Sequence, residues 1–187
     1  QPTGLKANIS KADLTLAGLS AGNKVYDATT VATLTGTPSV SPLGSDSVTL
    51  GGTGTGTFAD KNVGNAKAVT VSGFTLGGTD AGNYNLVQPT GGLKADITPA
   101  TLTYTANAAT SIYGDAITGL TGTVAGFVNG ENLANATTGT ASFSTAATAT
   151  SHVGQYAIAG SGLTANNGNY VFVQNAANTT ALTITPA

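Results

Sequence analysis

The chain has 187 residues, a formal net charge of −2 and only 7% charged residues, so it lacks the basic surface that nucleic acid binding requires. It contains no cysteine, which excludes disulfide bonds and thiolate sites, and no apolar run approaches the roughly 20 residues that span a bilayer. Abundant Thr and 26 glycines favour short β-strands joined by turns.

One stretch of sequence occurs three times. QPTGGLKADITPA at 88–100 is preceded by QPTGLKANISKA at 1–12 and followed by the degraded copy QNAANTTALTITPA at 174–187. A fixed spacing of 87 or 88 residues predicts tandem repeats. We therefore expect the last strand of a preceding repeat at 1–10, a first unit at 11–98 and a second unit at 99–187.

The first unit shows a succession of short strands in chain order. Leu14 and Leu16 alternate with polar residues, as in a half-buried strand, and strands follow at 24–36 and 45–50. The glycine-rich segment 51–58 predicts a flexible hairpin, because it lacks the Lys-Ser/Thr ending of a phosphate loop. Further strands lie within 57–76, before the turn GGTDAGNY at 77–84, and after it in NYNLVQ and LKADIT.

The second unit repeats this order with changed side chains, and only NGENLANA at 129–136 resembles a helix of one or two turns. About seven short strands per unit predict an all-β chain of two tandem immunoglobulin-like sandwiches with antiparallel sheets. The alternative is a β-grasp-like unit, in which the 129–136 helix crosses one sheet.

Several segments resemble known families. KVYDATT with FADKNVGNAKAVTVSGFTLGGTDAGNYNL is similar to the YDG domain of very large exported bacterial proteins, and SIYGD with GFVNGENL, SHVGQYAI, GNYVFV and LTITPA resembles the MBG domain. The resemblance implies a repetitive adhesin of the filamentous haemagglutinin type, exported by two-partner secretion. Ala28 occupies the position at which the Tyr-Asp-Gly sequence that names the YDG domain has glycine. A tight backbone turn at this position is therefore in doubt.

Four tyrosines are the candidate structural anchors. Tyr26 and Tyr113 are 87 residues apart, and both are expected to be core or edge anchors, with the ring inside and the hydroxyl bonded to backbone. The alternative is that they are platforms on which sugars or peptides stack. Tyr84 and Tyr170 each end a Gly-Asn-Tyr turn and resemble a corner tyrosine that ties a loop to a strand.

The other polar candidates favour structural roles. Asp27, Asp46, Asp60, Asp80 and Asp115 are scattered singly, whereas calcium needs several convergent oxygens, so Asx-turn and capping roles are expected. If a cation binds, the Asp27 region is the first place to look; no other metal site and no cofactor is predicted.

The single histidine has an internal counterpart. HVG at 152–154 corresponds to NVG at 62–64, and a position that accepts His152 or Asn62 is a polar turn rather than a catalytic site. Gly64 and Gly154 are then structural anchors of the turn.

Together these features predict a stalk or spacer of a secreted or cell-surface bacterial adhesin, with neighbouring repeats of the same chain as its partners. The alternative is a carbohydrate- or matrix-binding module whose exposed tyrosines and polar loops contact host or matrix glycans or surface proteins. No acid–base pair or nucleophile can be assembled, so an enzyme is not expected.

Overall fold

The computed structural model describes Gly4 and residues 6–187. The described residues are nearly all β, with 52% of them in strands and 8% in helices, and the several sheets are consistent with a sandwich-like fold. The predicted all-β class is thereby confirmed. The chain forms two compact units: the first comprises residues up to Lys24 and Thr30–Ile97, and the second comprises Val25–Thr29 and Thr98–Ala187.

The described residues of the first unit form three sheets. Their strands are β1 (Ala12–Thr15), β2 (Ala17–Ala21), β3 (Lys24–Val25), β4 (Val31–Ala32), β5 (Leu34–Ser39), β6 (Thr49–Phe58), β7 (Gly64–Gly77), β8 (Tyr84–Val87) and β9 (Leu93–Thr98). Strand β1 pairs with β8, β2 pairs with β5, and the largest sheet has the order β3-β9-β7-β6-β4. A 3-10 turn at Ala81–Asn83 precedes β8.

The second unit also contains three sheets, with the orders β12-β10-β16, β11-β17-β14 and β13-β15. Its strands are β10 (Ala100–Ala106), β11 (Ala109–Ile112), β12 (Gly122–Ala125), β13 (Thr137–Ser144), β14 (Gly154–Tyr156), β15 (Ala159–Ala165), β16 (Tyr170–Gln174) and β17 (Leu182–Thr185). Helix α1 (Leu133–Ala136) and two 3-10 segments, Asn166–Gly168 and Ala176–Thr180, complete it.

The strand pairing differs from the antiparallel sheets that the sequence predicts. The first strand of each unit pairs in parallel with the strand after the Gly-Asn-Tyr turn, so that Ala12 lies opposite Tyr84 and Ala100 lies opposite Tyr170. Strand β11 also pairs in parallel with β17. The short helix expected in NGENLANA is present as α1, but its single turn is too short for the crossing helix of the β-grasp alternative.

The strand expected at 1–10 is not formed by the described residues. Residues 6–11 carry no strand, and Ile9 is fully exposed. Gln1, Pro2, Thr3 and Leu5 lie outside the described residues. A strand here needs a sheet edge on which to pair its backbone groups, so its assignment to a preceding repeat stays a prediction.

Each unit buries its own set of side chains. Gly64 of β7 lies opposite Ile97, and Gly154 of β14 lies opposite Ile184, so the two predicted glycine anchors occupy equivalent places in the sheets. The buried apolar residues of the first unit are Leu14, Leu16, Ala32, Phe58, Val69, Val71, Tyr84, Ala95 and Ile97; those of the second are Tyr26, Ala100, Leu102, Tyr104, Ala136, Ile158, Tyr170, Leu182 and Ile184.

The recurring glutamine joins two sheets in each unit. The Gln88 side chain accepts a hydrogen bond from the Val71 N–H at 2.9 Å and donates one to the Val71 carbonyl at 2.6 Å. Gln174 makes the same two bonds to Gly160, at 2.9 and 2.8 Å. A primary amide carries both a donor and an acceptor. Each glutamine side chain therefore bonds to the N–H and the carbonyl of one strand residue, as the backbone of a neighbouring strand would.

The glycine-rich segment 51–58 is not a flexible hairpin. It lies in β6, which pairs with β7 on both sides of a register shift at Gly52. Gly52 and Gly73 have φ of 82° and 88°, and a Cβ on Gly52 would overlap the Gly73 carbonyl oxygen. Gly139 and Gly162 form the equivalent pair between β13 and β15. Paired glycines therefore permit a bulge that brings the two backbones close together.

We predict that Gly52→Ala lowers the free energy of unfolding by about 3 kcal/mol. The left-handed backbone costs an alanine about 1–2 kcal/mol, and the overlap with the Gly73 carbonyl adds to this. The matched control is Gly44→Ala, at φ 56° with no atom within 4 Å of the new Cβ, which should cost only about 1 kcal/mol. Urea denaturation measures both, and equal losses would contradict the close approach.

Candidate functional site

In each unit, the tyrosine of the Gly-Asn-Tyr sequence is the first residue of a strand. The 3-10 turn Ala81–Asn83 leads directly into Tyr84, and Asn166–Gly168 is followed by Asn169 and then Tyr170. Both tyrosines are only 4% exposed. The turn thus places a buried tyrosine ring at the start of β8 or β16. Each of these strands pairs with the first strand of its unit, β1 or β10.

In the first unit, the Tyr84 hydroxyl connects a strand to a loop. It accepts a hydrogen bond from the Leu43 N–H at 2.9 Å and donates one to Asp46 Oδ2 at 2.7 Å. The bond to the Asp46 carboxylate, followed by burial, raises the pKa of Tyr84. A phenol acts as donor and acceptor at once, so one hydroxyl fixes the loop 43–46 to β8.

The second unit contains the same arrangement with a glutamate. The Tyr170 hydroxyl accepts from the Val128 N–H at 3.1 Å and donates to Glu131 Oε2 at 2.7 Å. As in the first unit, the acid lies three residues after the backbone donor. Burial, followed by the hydrogen bond to Glu131, raises the pKa of Tyr170 to about 12.

Tyr26 completes the cluster of the second unit. Its side chain is 2% exposed, and its hydroxyl donates to Glu131 Oε1 at 2.8 Å. Its ring contacts the Tyr170 ring edge-on, with 5.4 Å between centroids, while Phe127 contacts Tyr170 at 5.7 Å. Both oxygens of Glu131 therefore accept from tyrosines, and Tyr26 cannot be a surface platform for sugars. The sequence predicts a backbone partner for this hydroxyl, whereas a carboxylate is found.

The sequence analysis did not single out Glu131. The sequence nevertheless indicates its role, because LGSD at 43–46 and VNGE at 128–131 both end in an acid. In each, the acid lies three residues after the residue whose N–H bonds to the tyrosine. Asp115 is the only other acidic residue of 99–187. A lone acid in a nearly uncharged segment is a candidate for a structural role, because even a half-buried carboxylate needs hydrogen-bond donors.

The Asp27 region forms a turn. The Asp27 Oδ1 atom accepts from the Thr29 N–H at 2.9 Å and from the Thr29 hydroxyl at 2.8 Å, which is the geometry of an Asx turn. Between them, Ala28 has φ of 61°, in the left-handed region that favours glycine. The backbone at Ala28 therefore has the left-handed conformation that glycine would favour, although alanine occupies the position.

The carboxylates of Asp80 and Asp60 also bond to separate partners. Asp80 accepts from the Ser47 N–H at 2.7 Å. Asp60 accepts from Lys67 Nζ at 2.7 Å, and this bond lowers the pKa of Asp60. Among the described residues, no group of three or more His, Asp or Glu side chains lies close enough together to hold a metal ion.

Tyr113 differs from the prediction of an inward ring, because 44% of it is exposed. Its N–H donates to the Thr185 carbonyl at 2.9 Å, just as the Tyr26 N–H donates to Thr98 at 2.8 Å. The exposed His152 lies beside Tyr113, and its carbonyl oxygen accepts from the Tyr156 hydroxyl at 2.7 Å. The two equivalent tyrosines thus share a backbone setting and differ in burial.

Comparison with known proteins gives two matches. Residues 10–91 match the family model of the YDG domain, and residues 102–180 match that of the MBG domain of the YGX type. Neither a curated protein nor a solved structure matches the chain. Across the described residues, we find no helix with the length and apolar character needed to cross a membrane.

We predict that the stabilising effect of the Tyr170 hydroxyl falls as the pH rises from 10 towards 12. Its pKa is about 12 when folded and about 10 when unfolded, so below pH 10 both states are protonated and the effect is complete. Above pH 10 the unfolded chain ionises first, which favours unfolding. Urea denaturation of the wild type and Tyr170→Phe at pH 9, 10 and 11 measures the effect.

The control is Tyr113→Phe, which removes a hydroxyl from an exposed ring. Its free energy of unfolding relative to the wild type should not change over the same pH range. A constant difference between the wild type and Tyr170→Phe would contradict the raised pKa.

Proposed function

The chain consists of a YDG domain followed by an MBG domain of the YGX type, as its motifs predict, and we propose that it is a spacer segment in the stalk of a bacterial adhesin. In this proposal the parent protein is secreted or held at the cell surface. The neighbouring partners of the segment are further repeats of the same chain. Its task is to carry a distal binding region away from the cell.

One observation carries the proposal. Val25–Thr29, here called the Tyr26 segment, lies within the sequence matched by the YDG domain but belongs to the compact unit that contains the MBG domain. It is fixed there by the hydrogen bond from Tyr26 to Glu131 and by the ring contact with Tyr170. A repeat that contributes a buried side chain to the next unit suits assembly in series.

The connection between the family domains supports the same function. Strand β9 ends at Thr98 and β10 begins at Ala100, so Pro99 alone separates them, and proline restricts the backbone φ angle. The chain passes between the units at Val25, Thr30 and Thr98. The two units are therefore joined by the chain at three places.

The same geometry favours a role without catalysis. The reactive groups of the cluster are bonded to one another, since each oxygen of Glu131 accepts from a tyrosine. A general acid or base must reach a substrate proton, whereas the two tyrosines are buried and both oxygens of the half-buried Glu131 are already bonded to them. We therefore propose a structural role rather than an enzymatic one.

A second candidate function is a carbohydrate-binding module. The supporting observation is Tyr113, which is 44% exposed and lies beside a hollow of about 300 Å³. Tyr26, the other tyrosine considered for this role, is buried. The module would therefore depend on Tyr113 and the polar side chains near it.

We expect the two units to keep a narrow range of distances in solution, and Tyr26→Ala to broaden it. Because the chain has no cysteine, Ser45→Cys and Gln155→Cys introduce two defined labelling sites at exposed positions, one in each unit. Pulsed electron spin resonance between spin labels at these sites gives the distance distribution. Tyr113→Ala is the control and should leave it unchanged. A broad distribution in the unaltered chain would refute the spacer.

We expect a broad glycan panel to give no saturable binding with the 187-residue chain, because a spacer needs no ligand of its own. Panel binding is measured for the wild type and for Tyr113→Ala. Saturable binding that disappears with Tyr113→Ala, while the variant keeps the wild-type urea midpoint, would favour the carbohydrate-binding module instead.

A further inference from the structure

We propose that the surface around Tyr113 is the docking site of a further repeat of the MBG type, which buries Tyr113 as the second unit buries Tyr26. This Tyr113 surface consists of Tyr113, His152, Val153, Pro186 and Ala187. The inference deepens the proposed function and rests on it, because it names the side chains by which an array is extended.

The first argument is the equivalence of the two tyrosines. Tyr26 and Tyr113 are 87 residues apart, as are Thr98 and Thr185. Each tyrosine donates its backbone N–H to the carbonyl of its threonine, at 2.8 and 2.9 Å. In both cases the threonine follows a buried isoleucine and precedes Pro-Ala. The backbone therefore presents both rings from the same position of the repeat.

The second argument is the difference in their surroundings. Tyr26 is 2% exposed and Tyr113 is 44% exposed. Val153, which lines the same hollow as Tyr113, is a large apolar residue and is 55% exposed, whereas its counterpart Val63 is only partly exposed. Clustered exposed apolar side chains mark interaction surfaces more often than isolated ones do. The Tyr113 surface thus has the apolar character of a contact that lacks its partner.

The third argument identifies the chemistry of the partner. Tyr26 is buried against an aromatic edge from Tyr170 and donates to a carboxylate of Glu131. A partner for Tyr113 must supply the same pair, because a buried phenol needs a hydrogen-bond acceptor. Among the described residues only the second unit shows this pair receiving a tyrosine from another repeat, although Tyr84 and Asp46 form the equivalent pair in the first unit. The expected occupant is therefore another unit of this type.

A second copy of the 187-residue chain does not meet this requirement. Its Glu131 and Tyr170 already contact its own Tyr26, so its receiving site is occupied. The chain should consequently remain monomeric, and docking should need an added repeat that brings its own tyrosine and glutamate.

The test uses the whole chain with a second copy of residues 101–187 joined directly after Ala187. This junction keeps the 87-residue period, since Ala187 takes the place of Ala100. Both proteins are labelled with 3-fluorotyrosine, and the fluorine signal of Tyr113 is identified by its loss in Tyr113→Phe. A soluble paramagnetic agent then reports the exposure of each ring by line broadening.

We expect the agent to broaden the Tyr113 signal strongly in the 187-residue chain and the Tyr26 signal little. In the extended chain the broadening of Tyr113 should fall to the level of Tyr26. Glu131→Ala in the added copy should restore the broadening of Tyr113 and leave Tyr26 protected. The same substitution in the original copy should expose Tyr26 and leave Tyr113 protected.

The proposal is overturned if Tyr113 remains exposed while the added repeat is folded, as judged by protection of its own buried tyrosines. It is equally overturned if the added repeat does not fold after Ala187, because the Tyr113 surface would then fail to support it. Concentration-dependent dimers of the 187-residue chain, or protection of Tyr113 by a glycan, would assign the surface to a different occupant. None of these results would alter the distance distribution between the original units, which tests the spacer separately.

Discussion

The structure depends on a tyrosine hydroxyl held between a loop N–H and a carboxylate. Tyr84 with Asp46 and Tyr170 with Glu131 use it in the two units. Both tyrosines are buried, and a buried phenol hydroxyl needs hydrogen-bond partners. The loop, the turn and the paired first strand must therefore be in place together, and in the second unit Glu131 adds Tyr26 to the same group.

The fold class follows from local sequence, whereas strand direction does not. Alternating Leu14 and Leu16, β-branched runs and glycine turns are sufficient to predict short strands, and the helical turn in NGENLANA was also visible. The parallel pairs β1 with β8 and β10 with β16 were missed, because alternation has the same period whichever way the partner strand runs. The glycine-rich β6 was missed because glycine is typical of loops as well as bulges.

The candidate site was predictable in part, for a related reason. The Gly-Asn-Tyr turns indicated Tyr84 and Tyr170 as tyrosines that tie a loop to a strand, since a turn and its tyrosine are adjacent in sequence. Glu131 was missed because its hydrogen-bonded partners are far away along the chain. Tyr26 and Tyr113 lie in similar local sequences, so their different burial depends on what lies next to them in space.

Because of the Tyr26 segment, the boundaries of the sequence repeats do not coincide with the boundaries of the compact units. The residues matched by the MBG domain share their compact unit with Val25–Thr29, which are encoded more than 60 residues earlier. A duplication or deletion of one period would preserve this partnership only if the borrowed tyrosine and its recipient remain compatible.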